Sequence, residues 1–156
     1  MWIPGRLIKK GQKEEVSVKG EGMKKGIQMR SNKSMDEIVV LVRGAGEIAS
    51  GVAHRLHRSH FRICMTEIAY PLAVRREVAF SEATYEGEKE VEGVRAKLIS
   101  KPEKIESLWK KGDIPLFVDP DGKKTRTFLK PDVLVDAIMA KKNMGTGGLP
   151  GMFQAR

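Results

Sequence analysis

The sequence predicts an α/β fold with a mostly parallel sheet, and three observations carry that prediction. Ile38-Val39-Val40-Leu41-Val42 is a continuous, largely β-branched apolar run, the signature of a strand covered on both faces. Further on, Ile48, Val52 and Leu56 recur every four residues with Ala49 and Ala53 beside them, which gives a helix one apolar stripe. The stretch FRICMTEI then supplies a second strand, so a complete strand–turn–helix–strand unit fits into about 30 residues.

The turn inside this unit is Gly44-Ala45-Gly46-Glu47-Ile48-Ala49, with the spacing G-x-G-x-x-A. In that pattern the first glycine permits the sharp turn and the second lets a pyrophosphate approach the backbone. The small third residue lets helix and strand pack closely. The helix start behind it offers free amides and a positive dipole end, both suited to phosphate. Glu67 lies 21 residues beyond Gly46, close to where a carboxylate holds a ribose 2′-hydroxyl in Rossmann-like folds. The expected ligand is therefore an NAD-like dinucleotide or another nucleotide, with an unphosphorylated ribose. Glu47 stands beside the expected phosphate and would repel it unless it turns outward. Arg43, at the strand end, offers compensation by meeting phosphate or pairing with Glu47. The competing reading of the same glycines is a turn used for structure alone.

The remaining elements follow in order. Residues 1–35 mix Gly, Lys, Gln and Ser without sustained periodicity, so a basic flexible arm is expected, with a short strand at EEVSVKG as an option. Met35 stands directly before the first strand and is a candidate start of translation. Tyr70-Pro71 breaks the chain after the second strand, and LAVRREVAF suits a short helix. TYEGEKEVEGVRAKLI reads as an inserted β-hairpin, two strands around the charged EGEKEVEG. Pro102 opens a helix over PEKIESLWKK, which Gly112 ends. IPLFVD is a short buried strand closed by DPDG. After a polar stretch, DVLVDAIMA begins as a strand and could turn helical. A flexible tail completes the chain. The expected division is an arm over 1–35, a Rossmann-like α/β domain over 36–143 and a tail over 144–156.

The formal net charge of +9 is concentrated at one end. Residues 1–35 hold nine lysines and arginines against three glutamates, which leaves +3 for the rest. Cys64 is the single cysteine, so neither an intramolecular disulfide nor a multi-cysteine zinc site can form. No apolar run approaches the roughly 18 residues of a membrane helix, and no secretory apolar core of about 7–15 residues is evident. A soluble cytoplasmic protein is expected.

Other side chains invite chemistry more weakly. Arg75 and Arg76 could clamp an anion, and Asp119 and Asp136 end buried strands at the sheet edge where open α/β folds bind ligands. For Asp119, within FVDPDG, a turn-forming role is the stronger reading. His54, His57 and His60 lie three apart, a spacing that suits a polar helix face better than a metal site, and no metal is expected. No Ser/His/Asp arrangement or paired-carboxylate spacing supports hydrolase chemistry, so catalytic residues are left unassigned.

The segments VRGAGEIASGVAHRLHRSHFRICMTEI, PLAVRREVAFSEATYEGE, IPLFVDP and KPDVLVDAIMAKKNMGT resemble the YqeB-type accessory proteins of selenium-dependent molybdenum hydroxylases. The resemblance implies a cytoplasmic maturation factor whose partner is a molybdenum hydroxylase or its maturation machinery, with contact to the molybdenum cofactor. It places Arg43, Gly44, Ala45, Gly46 and Gly51 in the family's RGAG…G turn. Arg75, Arg76, Ser81 and Glu82 fall in its second motif, and Asp136 and Lys141 in VDAIMAK. Where this chain has Glu47 the family commonly has Asp, so an acid beside the turn is a shared trait. Family members continue into a second half with a further glycine-rich segment, which residues 147–156 do not follow. The chain therefore matches an N-terminal half only, and a sheet made to pack against more protein would expose apolar surface.

Two alternatives stand beside this expectation. One is a small NAD-dependent oxidoreductase, although no catalytic Tyr/Lys pair is evident. The other is nucleic-acid binding through the basic arm, which counterion release would make steeply salt-dependent. No membrane partner is expected, and homo-oligomerisation is compatible with each reading.

Overall fold

The computed structural model describes residues 33–139, together with the backbone of 152–154. Among the described residues seven strands form one sheet: β1 (Val39–Arg43), β2 (Arg62–Glu67), β3 (Glu88–Val91), β4 (Val94–Leu98), β5 (Asp113–Val118), β6 (Val133–Asp136) and β7 (Met152–Gln154). Their order across the sheet is β3-β4-β5-β2-β1-β6-β7. Every pairing is parallel except β3 with β4. The expected α/β fold, with its mostly parallel sheet and inserted hairpin, is the observed one. No helix among the described residues is long and apolar enough to cross a membrane.

Among the described residues four α-helices accompany the sheet: α1 (Glu47–Arg58), α2 (Ala83–Glu86), α3 (Ile105–Lys111) and α4 (Lys123–Leu129). On one face Ala49 and Ala53 of α1 pack with Val40, Val42, Ile63, Met65 and Phe80. Small residues there let the helix lie close to the strands. Arg55, His57 and Arg58 in the last turn of α1 suit its negative dipole end. On the other face Leu41 and Cys64 pack with Ile105 and Phe117, flanked by Trp109, Leu129 and Leu134. The Trp109 indole N–H donates to the Ile63 carbonyl at 2.7 Å, which fixes α3 against β2.

Several expectations are corrected. EGEKEVEG is not the tip of the hairpin: Glu88–Val91 is itself a strand, and Glu92-Gly93 alone makes the turn. Both of those residues have positive φ, 49° and 78°, the geometry that lets a two-residue turn match strand twist. LAVRREVAF forms no α-helix but two short 3-10 turns, Arg76–Val78 and Phe80–Glu82. The polar stretch after DPDG contains α4, and residues 137–139 beyond β6 are not helical. Met152–Gln154, expected within the tail, runs parallel to β6. EEVSVKG, the arm as far as residue 32, and Lys141 lie outside the described residues.

Candidate nucleotide site at the glycine turn

β1 lies where the chain reverses its direction of travel across the sheet. It pairs with β2 on one side and, through a crossover from β5, with β6 on the other. Open α/β sheets bind ligands beyond the strand ends at such a switch point. The turn Gly44-Ala45-Gly46 leaves β1 at this position. Gly44 has φ +93°, and a Cβ there would come within 3.3 Å of the Ala137 carbonyl oxygen, so glycine is required twice over. Gly46 differs: it N-caps α1 with φ −66°, and open space surrounds its Cβ position.

The first helical hydrogen bond of α1 runs from the Ser50 amide to the Gly46 carbonyl at 2.8 Å. The amides of Glu47, Ile48 and Ala49 precede it and lack an acceptor four residues back. These donors, the dipole end and the clear space over Gly46 make a fitting seat for a phosphate group. Ala45 and Ala49 are buried behind the turn, where a larger side chain would separate helix from sheet.

The charged candidates are placed differently from one another. The Glu67 carboxylate accepts the Ala45 amide at 2.7 Å and the Ile68 amide at 2.8 Å. It therefore braces the turn as well as standing at the end of β2 where a ribose contact was expected. Glu47 turns to the following loop, where its carboxylate accepts the Arg75 amide at 2.6 Å. Arg43 pairs neither with Glu47 nor across the turn. It forms a buried ion pair with Asp136 at 3.1 Å, both side chains less than a tenth exposed. Gly122 closes over it, since a Cβ at that residue would come within 3.1 Å of Arg43 Cγ.

The second candidate segment docks onto the first. Ser81 donates its amide to the Ala45 carbonyl at 2.8 Å. Ser50 donates its hydroxyl to the same carbonyl at 3.0 Å and accepts the Phe80 amide at 2.8 Å. Ser50 was not among the residues sequence reasoning selected. Its signal is only that a serine falls on the buried side of α1. Arg76, largely exposed, pairs with buried Glu82 at 2.9 Å and lies over the Tyr85 ring. The other carboxylate oxygen of Glu82 and the Ser81 hydroxyl are buried without a hydrogen-bond partner. Arg75 is exposed beside Glu47. Gly51 lies on the exposed face of α1 with nothing near its Cβ position, away from the turn.

Over 121 residues, 78% of its length, the chain is 42% identical to YqeB of Escherichia coli (strain K12), an uncharacterized protein. Over that span the chain is of the YqeB type. It covers 22% of the length of that relative. No protein-family model matches the chain, and no solved structure matches it.

The remaining candidates in this YqeB-type domain are structural in their contacts. Asp119 accepts the Thr125 amide at 2.7 Å, so it caps α4 from the preceding turn, in keeping with the turn-forming reading. His57 donates its Nε2 proton to the Gly112 carbonyl at 2.9 Å, and His54 approaches Glu92 at 3.8 Å. Burial holds the His57 ring below the usual imidazole range. Among the described residues no cluster of three or more His, Cys, Asp or Glu is arranged to hold a metal. Burial also pushes the Cys64 thiol far up, which makes it a core residue rather than a nucleophile.

Proposed function

We propose that this YqeB-type chain is a nucleotide-binding module of a cytoplasmic accessory protein, one that acts in maturation of a selenium-dependent molybdenum hydroxylase. One observation carries the nucleotide reading. The start of α1 presents three amides without helical acceptors at the switch point, under open space at Gly46. A nucleotide's phosphates would lie on these amides, and Glu67, at the end of β2, is the group nearest in kind to a ribose partner. Arg75 is the cation available to phosphate from the loop, because Arg43 is spent on Asp136. The maturation role rests on the resemblance of the RGAG and PLAVRR…AFSEA segments to the accessory family.

Thermal unfolding against NAD, NADP, FAD, ATP and CTP tests the binding. A ligand at 100 times its dissociation constant should stabilise by about 2.7 kcal/mol. Gly46→Asp is the control, since its side chain enters open space and aspartate is itself a good N-cap. The variant should fold at least as stably as the parent while its carboxylate occupies the amides. A shift with one nucleotide that disappears in Gly46→Asp supports the reading. An equal shift in both proteins, or none in a cooperatively unfolding parent, refutes it.

A further inference from the structure

A second cleft lies on the face of the sheet opposite α1. Helix α4 has only seven residues, and on this face its Phe128 is 40% exposed beside buried Phe117 at the end of β5. The cleft beside Phe128 holds about 420 Å³; Ile99, Phe117 and Phe128 are its apolar side chains on this face, and Leu98 and Val118 border it at the strand ends. The Phe117 and Phe128 rings meet edge to face, 5.3 Å apart at 62°. Ser100 and Lys124 supply polar groups to the lining.

Both walls are fixed by hydrogen bonds. Asp119 holds the Thr125 amide at 2.7 Å and so positions α4. The Ile99 amide donates to the Leu116 carbonyl at 2.8 Å and holds the segment after β4. Asp119 also lines the cleft, but the residue is only 4% exposed and its Oδ2 accepts the Thr125 amide. Lys123 is engaged by Asp121 at 3.0 Å. Lys124 forms no ion pair among the described residues and is exposed. A pre-formed pocket of aromatic and aliphatic walls, with one uncommitted cation, has the composition of small-molecule sites.

We propose that this cleft is a binding site for a flat aromatic or heteroaromatic molecule bearing one anionic group. The ring system would lie against Phe117 and Phe128, and the anion would meet Lys124. Phe117 packs in the cluster around Leu41 and Cys64, whereas Ala45 and Ala49 belong to the cluster on the other face. The site is thus distinct from the glycine turn and does not depend on the nucleotide reading.

The probe is 1-anilinonaphthalene-8-sulfonate, titrated by fluorescence into the folded full chain, with N-phenyl-1-naphthylamine as its uncharged counterpart. One saturable site is expected for the sulfonate. Lys124→Glu, a surface change, should weaken it about fivefold while leaving the uncharged amine unaffected. Phe128→Ala should weaken both. Should that variant lose cooperative unfolding, Phe128→Leu, which keeps the apolar contact but removes the ring, replaces it, with the same direction expected. The exposed loop side chains Leu72 and Val74 are the competing attachment point, so Leu72→Ser with Val74→Ser should leave binding intact. Any of three results overturns the proposal: no saturable site, indifference to Lys124→Glu, or loss through the loop variant. Displacement of the probe by a nucleotide that also requires Gly46 would overturn its separateness from the glycine turn.

Discussion

Arg43 and Asp136 face each other across the ends of two adjacent parallel strands, in register and joined by a 3.1 Å ion pair that is nearly closed to solvent. Their mutual attraction must offset the loss of hydration of both charges, so the pair need not stabilise relative to an apolar substitute. Loss of one member is another matter. Asp136→Ala leaves a buried guanidinium whose Nε already lacks a partner. A loss of about 3–5 kcal/mol is expected, read by urea denaturation. A cost under about 1 kcal/mol would mean that Arg43 escapes to water despite Gly122 above it.

Ser50 joins three segments with one hydroxyl. Ser50→Ala leaves the Phe80 amide without an acceptor in a buried setting and removes one of two donors to the Ala45 carbonyl. The expected loss is about 1–3 kcal/mol. Amide exchange would also accelerate at Phe80 more than at the core of β1. Uniform acceleration across the domain would show that the serine does not pin the segment locally.

Two glycines, one in the turn and one on the exposed face of α1, should respond in opposite directions. Gly44→Ala forces a side chain into a positive-φ residue that already approaches Ala137 and should destabilise by about 1–3 kcal/mol. Gly51→Ala adds a methyl group in open space on a helix and should stabilise by about 0.5–1 kcal/mol. Melting temperatures of the two variants decide this. A destabilising Gly51→Ala would reveal a neighbour at that helix face.

His57 predicts an acid-side loss of stability. Its folded pKa is lowered from 6.5, chiefly by burial. As pH falls below 6.5 the unfolded chain takes up a proton first, so folding becomes less favourable until the folded ring also titrates. Above that range the residue makes no pH-dependent contribution. His57→Gln, which retains an N–H donor, should flatten the stability profile just below pH 6.5 compared with the parent. An unchanged profile would assign the slope to other groups.

The first βαβ unit was legible because its signals are redundant: a β-branched run, a glycine turn and a four-residue apolar repeat all agree. Helix α4 was not, because KKTRTFLK buries only Thr125 fully and carries no apolar stripe. Its start is set by Asp119 reaching forward across the turn, a contact no periodicity records. The hairpin was misread for a related reason. Lys89 and Val91 are half-buried between exposed Glu88 and Glu90, so a strand is hidden under a charged composition. At the site, the glycines and Glu67 could be found from spacing. The partners of Arg43 and Glu47 depend on Asp136 and Arg75, which the fold brings from 93 and 28 residues away.

That separation also sets a clock during synthesis. β2 can pair with β1 soon after it is made, but β6 follows some 93 residues later. At translation rates of about 5–20 residues per second, one edge of Val39–Arg43 stays open for roughly 5–20 s. An apolar, unpaired parallel edge is a template for the wrong strand. Changes that slow the docking of β6 would therefore appear first as lost yield and inclusion bodies, in molecules that never reach the native state whose stability is being measured.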